Sequence, residues 1–230
     1  MSVGRTITEA VSVFRQNVFA LLVIGAIVFV PVDLVTAWID ETRGWESESA
    51  GRLALFTVVL LLGWTLAYGA AIAAVAVEPE GAEEEPRTPL AAIGDAGSCW
   101  YTLLAIVVLG GLAVLGGLVL LIVPGVVLLT WWFVAFQPAL IESRGWRESL
   151  GRSRELVRGS FWPVLALVVV LSLGLAALDY AVYRVATAAL PDFLGAWAGG
   201  VVADTLGAGA SAALTTAAFW ELRAPPLREG

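Results

Sequence analysis

The sequence contains no histidine and no lysine, and its single cysteine is Cys99. The absence of histidine excludes histidine-based catalytic triads and histidine metal sites, and the absence of lysine excludes a phosphate-binding P-loop. A lone cysteine cannot form an intrachain disulfide. We therefore expect no enzymatic activity, no metal and no cofactor, and we interpret Cys99 as a space-filling thiol rather than a nucleophile.

Charged residues are also scarce, at 14%, whereas hydrophobic residues make up 59% of the chain. A soluble domain is about 25% charged and roughly 45–50% apolar. The surplus apolar residues form runs long enough to cross a bilayer as helices, which takes about 20 residues. These runs predict an all-α integral membrane protein with one domain over 1–230. The predicted spans are 17–39, 53–77, 101–123, 125–141, 162–184 and 198–220, followed by a short tail at 221–230.

The third and fourth runs adjoin at Pro124 and Gly125. Proline cannot continue a helix, and glycine adopts turn geometries at little cost. Residues 101–141 are too many for one span. We therefore predict a tight hairpin with its turn at these two residues, rather than a single kinked helix. The first run lacks a small-residue cleavage site and is expected to stay in the mature protein.

Arginine is distributed unequally between the two sides of this six-span layout. The side that carries both termini collects Arg5, Arg15, Arg87, Arg144, Arg147, Arg152, Arg154, Arg158, Arg223 and Arg228. The other side has Arg43, Arg52 and Arg184. Cytoplasmic loops carry the arginine excess, so both termini are predicted to be cytoplasmic, in a multi-pass protein of the plasma membrane.

Short amphipathic segments precede the first, third and fifth spans, from Thr6, Thr88 and Gly145. Aromatic residues follow each segment, where the span begins: Phe19, Trp100, Tyr101, Phe161 and Trp162. Such rings favour the membrane interface. The chain is therefore predicted to contain three copies of one unit. Each unit is an interfacial helix on the cytoplasmic side, followed by a helical hairpin. The alternative is that any cytoplasmic loop that leads into a span has this composition.

The third segment has clear helical spacing. Trp146, Leu150, Ser153 and Val157 fall on one face, with Ser143 predicted to cap the start and Gly159 to end the helix. The arginines on the other faces are predicted to contact anionic lipid headgroups or an acidic partner: Arg147, Arg152, Arg154 and Arg158. A nucleic-acid site is disfavoured because the chain is acidic, with a net charge of -7.

Residues 124–162 also carry an ordered pattern: a Pro-Gly pair, a hydrophobic span, proline, glutamate, an Arg-Ser pair, leucine, glycine and an aromatic residue. The positions are Pro124, Gly125, Pro138, Glu142, Arg152, Ser153, Leu156, Gly159 and Trp162. This stretch resembles the glycerophosphoryl diester phosphodiesterase membrane-domain family and related uncharacterised archaeal membrane proteins. The resemblance implies a six-helix membrane module. It implies no phosphodiesterase activity, since that belongs to a separate catalytic domain that is sometimes fused to the membrane domain.

Three aspartates lie inside the predicted spans, at Asp33, Asp179 and Asp204. Charged residues at membrane depth are costly and usually face the bundle interior. One hypothesis is a shared polar pocket for a cation or a proton, or an ion pair with Arg184. The other is a set of hydrated residues near the outer interface.

The last run carries small residues at four-residue spacing: Gly199, Ala203, Gly207, Ser211 and Thr215. Small residues on one face allow helices to approach closely. This face predicts tight packing within the chain, with homodimerisation as the alternative. The leading functional hypothesis is a non-enzymatic membrane module that organises lipid or scaffolds a partner. The alternative is a small-solute or ion transporter that uses the aspartates.

Acidic loops without lysine, at a sequence pI of about 4.6, indicate a high-GC, halophilic, archaeal-like source with a salt-rich cytoplasm. A protein adapted to that environment should unfold at a higher temperature in molar KCl than at low KCl. Reversible thermal unfolding of the detergent-solubilised protein measures this. Equal stability at both KCl concentrations would contradict the interpretation.

Overall fold

The computed structural model describes residues 1–43, 50–76 and 87–224, and most of these residues are helical. No β-strand occurs within these ranges, in agreement with the predicted all-α class. The predicted tail is described as far as Ala224, and the predicted end of the second span, at 77, lies outside the described residues. The α-helices are α1 (Val3–Gln16), α2 (Val18–Arg43), α3 (Ala50–Val75), α4 (Pro89–Ser98), α5 (Trp100–Ala105), α6 (Gly111–Leu120), α7 (Ile122–Trp131), α8 (Phe136–Ile141), α9 (Trp146–Arg158), α10 (Phe161–Ala189) and α11 (Asp192–Arg223). A π-helical segment, Ile106–Gly110, joins α5 to α6.

Five stretches of the described residues are long and apolar enough to cross a membrane. They are Val18–Trp38, Ala54–Val75, Trp100–Leu120, Ile122–Ile141 and Phe161–Ala189. The predicted sixth span, 198–220, lies within the 32-residue helix α11, which is not among these five. Its Gly, Ser and Thr residues and Asp204 lower its mean hydropathy, although its length is sufficient.

The predicted hairpin forms, but its turn lies elsewhere. The helices break at Leu121, which has an extended backbone (φ -159°, ψ 130°). Pro124 lies in the first turn of α7, where a helix needs no N–H donor and proline is tolerated. Gly125 does not form the turn but allows α6 and α7 to pack closely. A Cβ built on Gly117 would lie 2.9 Å from the Gly125 Cα. The prediction of a turn at Pro124 and Gly125 was therefore wrong.

The three short amphipathic helices α1, α4 and α9 lie at one end of the bundle. Glu221, near the end of α11, accepts hydrogen bonds from the Thr6 hydroxyl and, at 2.7 Å, from the Ser2 backbone N–H. Helix α4 packs on the last turns of α3 through Ala92 and Ala96. A short helix followed by two longer helical stretches occurs three times along the chain, whereas the interfacial position of the short helices stays a prediction.

Helix α11 forms the interior of the bundle and packs against α1, α2, α3 and α10. All five residues of its predicted small-residue face are buried, which confirms tight packing within the chain. Gly209 shows how close this packing is, because a Cβ built there would lie 3.0 Å from the Phe14 ring and 3.3 Å from Leu21. An interior helix faces protein rather than lipid, so it needs less apolar surface than its neighbours.

Replacing Gly117 with alanine should destabilise the fold by about 1–3 kcal/mol, the usual cost of overpacking. The added Cβ would meet backbone atoms of Gly125, which cannot rotate away. Gly116→Ala is the matched control, since nothing lies within 4 Å of a Cβ built there. SDS titration of both variants in detergent micelles measures the difference. Equal unfolding midpoints would contradict the close packing of α6 on α7.

Candidate functional site

Two of the three predicted aspartates meet inside the bundle. Asp33 on α2 and Asp204 on α11 lie within hydrogen-bonding reach of each other. Asp33 is 5% exposed, and Asp204 is partly buried. The Trp64 side chain, from α3, lies within hydrogen-bonding reach of Asp204. Three helices that are distant in sequence therefore build one polar site in an apolar bundle.

Glycine residues lie at the contact between α2 and α11. Gly200 on α11 faces Asp33, and a Cβ built there would lie 3.4 Å from the Asp33 Cγ. One turn away along α11, the Trp197 indole N–H donates to the Val30 carbonyl over 3.2 Å. Gly25 lies further along α2, where a Cβ would lie 2.7 Å from the Cβ of Thr205. A larger residue at Gly25 would push α2 away from α11, whereas a Cβ at Gly200 would make an ordinary contact with Asp33.

The other two predicted members of the site are placed differently. Asp179 interacts electrostatically with Asp204, but its side chain is exposed on α10. Arg184 is also exposed, and among the described residues it forms no ion pair with any of the aspartates. The same residues contain no group of three or more His, Cys, Asp or Glu side chains suited to a metal ion.

The chemistry of the site depends on a buried carboxyl oxygen that lacks a hydrogen-bond donor. The Asp33 Oδ2 atom is buried and has no hydrogen-bond partner among the described residues. Buried polar atoms in folded proteins almost always have a partner. Two carboxyl groups in contact, with no arginine ion-paired to them among the described residues, can hold a proton or a monovalent cation.

A second polar group, which no sequence pattern predicted, joins α3, α8 and α11 nearer the short helices. The buried Thr215 hydroxyl accepts from the Gln137 side-chain amide over 2.7 Å and lies 2.9 Å from the Tyr68 hydroxyl. It also reaches the Ser211 carbonyl over 2.8 Å. The only sequence signal was Gln137 itself, an amide inside an apolar run.

Part of the family-like pattern lies where α8 is followed by α9, whereas Pro124 and Gly125 lie at the start of α7. Pro138 has no N–H to donate, and the helix is interrupted between α7 and α8, a few residues before it. At this interruption the Ala135 N–H donates to the Trp132 carbonyl. The Trp131 carbonyl, which Ala135 would bond in a regular helix, instead accepts from the Ser153 hydroxyl over 2.7 Å. The Ser153 side chain therefore fastens α9 to the end of α7.

Glu142 forms ion pairs within the chain. Its Oε2 lies 2.5 Å from the Arg144 Nε and 3.5 Å from the Arg152 Nε. Arg152 also lies 3.7 Å from the exposed carboxylate of Glu155. Arg152 is thus engaged by carboxylates, which sets it apart from the other predicted headgroup contacts.

The remaining arginines of α9 are exposed. Arg147 lies over the Trp146 ring, 4.8 Å from its centroid, and Arg154 lies 4.4 Å from the centroid of the Trp131 ring. Arg158 is exposed in the last turn of the helix. These three guanidinium groups can contact a charged surface without breaking an ion pair of the fold.

The predicted ends of α9 were partly wrong. Gly145, not Ser143, occupies the N-cap position. Ser143 has a φ of 51°, because it ends α8: the backbone N–H groups of Glu142 and Arg144 both bond to the Pro138 carbonyl. The helix ends before Gly159, as predicted, although that glycine has an ordinary negative φ of -83°.

An open cleft of about 550 Å³ lies at the same end, between α4 and the α8–α9 turn. Its lining includes Arg87, Arg144, Cys99 and Tyr101. Arg87 is already paired with Asp95 at 2.8 Å. Burial raises the pKa of the Cys99 thiol, which keeps it protonated and a poor nucleophile. This agrees with the interpretation of Cys99 as a space-filling residue.

Comparison with protein-family models, with curated proteins and with solved structures returns no match for this chain. The resemblance of residues 124–162 to a membrane-domain family therefore stays a prediction.

Proposed function

We propose that the chain is a non-enzymatic, six-span membrane module whose cytoplasmic end contacts anionic lipid headgroups. The observation that carries this proposal is the placement of α1, α4 and α9 at one end of the bundle, with exposed arginines on α9. An amphipathic helix that lies at a bilayer surface combines these features. The family resemblance implies the same kind of module.

The sixth span in this proposal is α11. Helix α1 and the end of α11 are hydrogen-bonded to each other through Thr6 and Glu221, so both lie at the same end. An even number of crossings is needed to bring the chain back to that end. Five apolar spans and α11 supply six, and the arginine excess makes that end cytoplasmic.

Exposed aromatic residues support the placement of this end of the bundle at the headgroup level of the bilayer. Phe19 and Trp162 are each 75% exposed, and Trp100 and Tyr101 are also exposed. All of them lie where a short helix passes into a long one. Aromatic rings at such positions anchor membrane helices at the headgroup level.

Replacing Arg147, Arg154 and Arg158 together with glutamine should weaken retention of anionic lipid. Each arginine near an anionic surface contributes about 1 kcal/mol. Purification from mixed anionic and zwitterionic vesicles, followed by mass spectrometry of the retained lipid, measures the effect. Arg184→Gln is the control, because Arg184 lies at the other end. Unchanged retention in the triple variant would refute headgroup contact, and a co-purifying protein lost from that variant would indicate a scaffold instead.

A second candidate function, transport of an ion or small solute, is favoured by the contact between Asp33 and Asp204. A transporter should show pH- or ion-dependent flux in reconstituted vesicles, and Asp204→Asn should abolish it because the acid pair is lost. Flux assays with a pH-sensitive dye and with Na⁺ or K⁺ gradients measure this. Absence of flux in the folded wild-type protein, or undiminished flux in the variant, would exclude a transport role for the pair.

A further inference from the structure

Among the side chains that the structure describes, none with a positive charge forms an ion pair with Asp33 or Asp204. The described groups that interact with the pair are the acidic Asp179 on α10 and the neutral Trp64 on α3, both through Asp204. Arg184 forms no ion pair with these aspartates. Two ionised carboxylates in contact repel each other, and both lose solvation in an apolar bundle.

The hydrogen bonds available to the pair also argue against two ionised carboxylates. An ionised carboxylate only accepts hydrogen bonds, so two ionised groups could not bond to each other. The buried Asp33 Oδ2 atom has no donor among the described side chains, although Asp204 lies within hydrogen-bonding reach of Asp33. One carboxyl proton supplies the missing donor and removes one of the two charges.

We propose that Asp33 and Asp204 hold a single proton between their carboxyl groups, so that the pair carries one negative charge. The Trp64 indole N–H contacts Asp204 and stabilises the remaining charge there. Asp179, exposed on α10, interacts electrostatically with Asp204 and adds a further negative charge near the pair. This proton site requires neither lipid binding nor transport.

Infrared spectroscopy of the wild-type protein in detergent at neutral pH tests the proposal. Isotope labelling of the aspartates identifies the stretching band of a protonated carboxyl group. We expect one such carboxyl per chain. Asp33→Asn and Asp204→Asn should each remove the band, because the new amide donates the hydrogen bond and leaves the partner ionised. Asp192→Asn, at an exposed position of α11, should leave it unchanged.

Two results would overturn the proposal. The first is a wild-type spectrum without a protonated aspartate. The second is a band that persists in both single variants. A wild-type protein that lacks the band, but is stabilised by NaCl or KCl and not by choline chloride, would identify a monovalent cation as the occupant. The wild-type spectrum decides the question even where a variant fails to fold.

Discussion

The close approach of α2 to α11 is the constraint on which the rest of the bundle depends. At Gly25 the absence of a side chain lets the two helices approach, because a Cβ there would lie 2.7 Å from the Cβ of Thr205. In a bilayer, where lipid tails are as apolar as leucine, such packing is a main source of helix association. Once α11 is enclosed on several sides, its own surface can be small and polar. This explains why the most interior helix is not among the most apolar ones.

The same approach decides where polar groups lie. Asp33 and Asp204 meet because α2 and α11 run antiparallel in close contact, and Thr215 reaches Tyr68 and Gln137 because α3 and α8 close around α11. Each group is enclosed by helices whose buried side chains are mostly apolar. Because intramembrane polar groups are costly when left alone, each group also specifies how its helices face each other.

Residue spacing predicted the helices and their small-residue or apolar faces. The contact partners of individual side chains depend on the tertiary fold. The small-residue face of α11 and the apolar face of α9 could be read from spacing alone. The turn at Leu121 could not, since proline is as well suited to a first helical turn as to a break. The ion pair of Glu142 with Arg152 and the bond from Ser153 to Trp131 depend on how α9 folds back, which no local spacing encodes.

The two ends of the bundle differ in charge, and this difference links the two proposals. Exposed arginines lie beside the short helices, while the three intramembrane aspartates lie toward the opposite end. With the arginine end at the cytoplasm, as proposed, the acid pair would lie in the outer half of the membrane. The lipid contacts would then fix the orientation of the module, and the orientation would decide which side of the membrane sets the protonation of the pair.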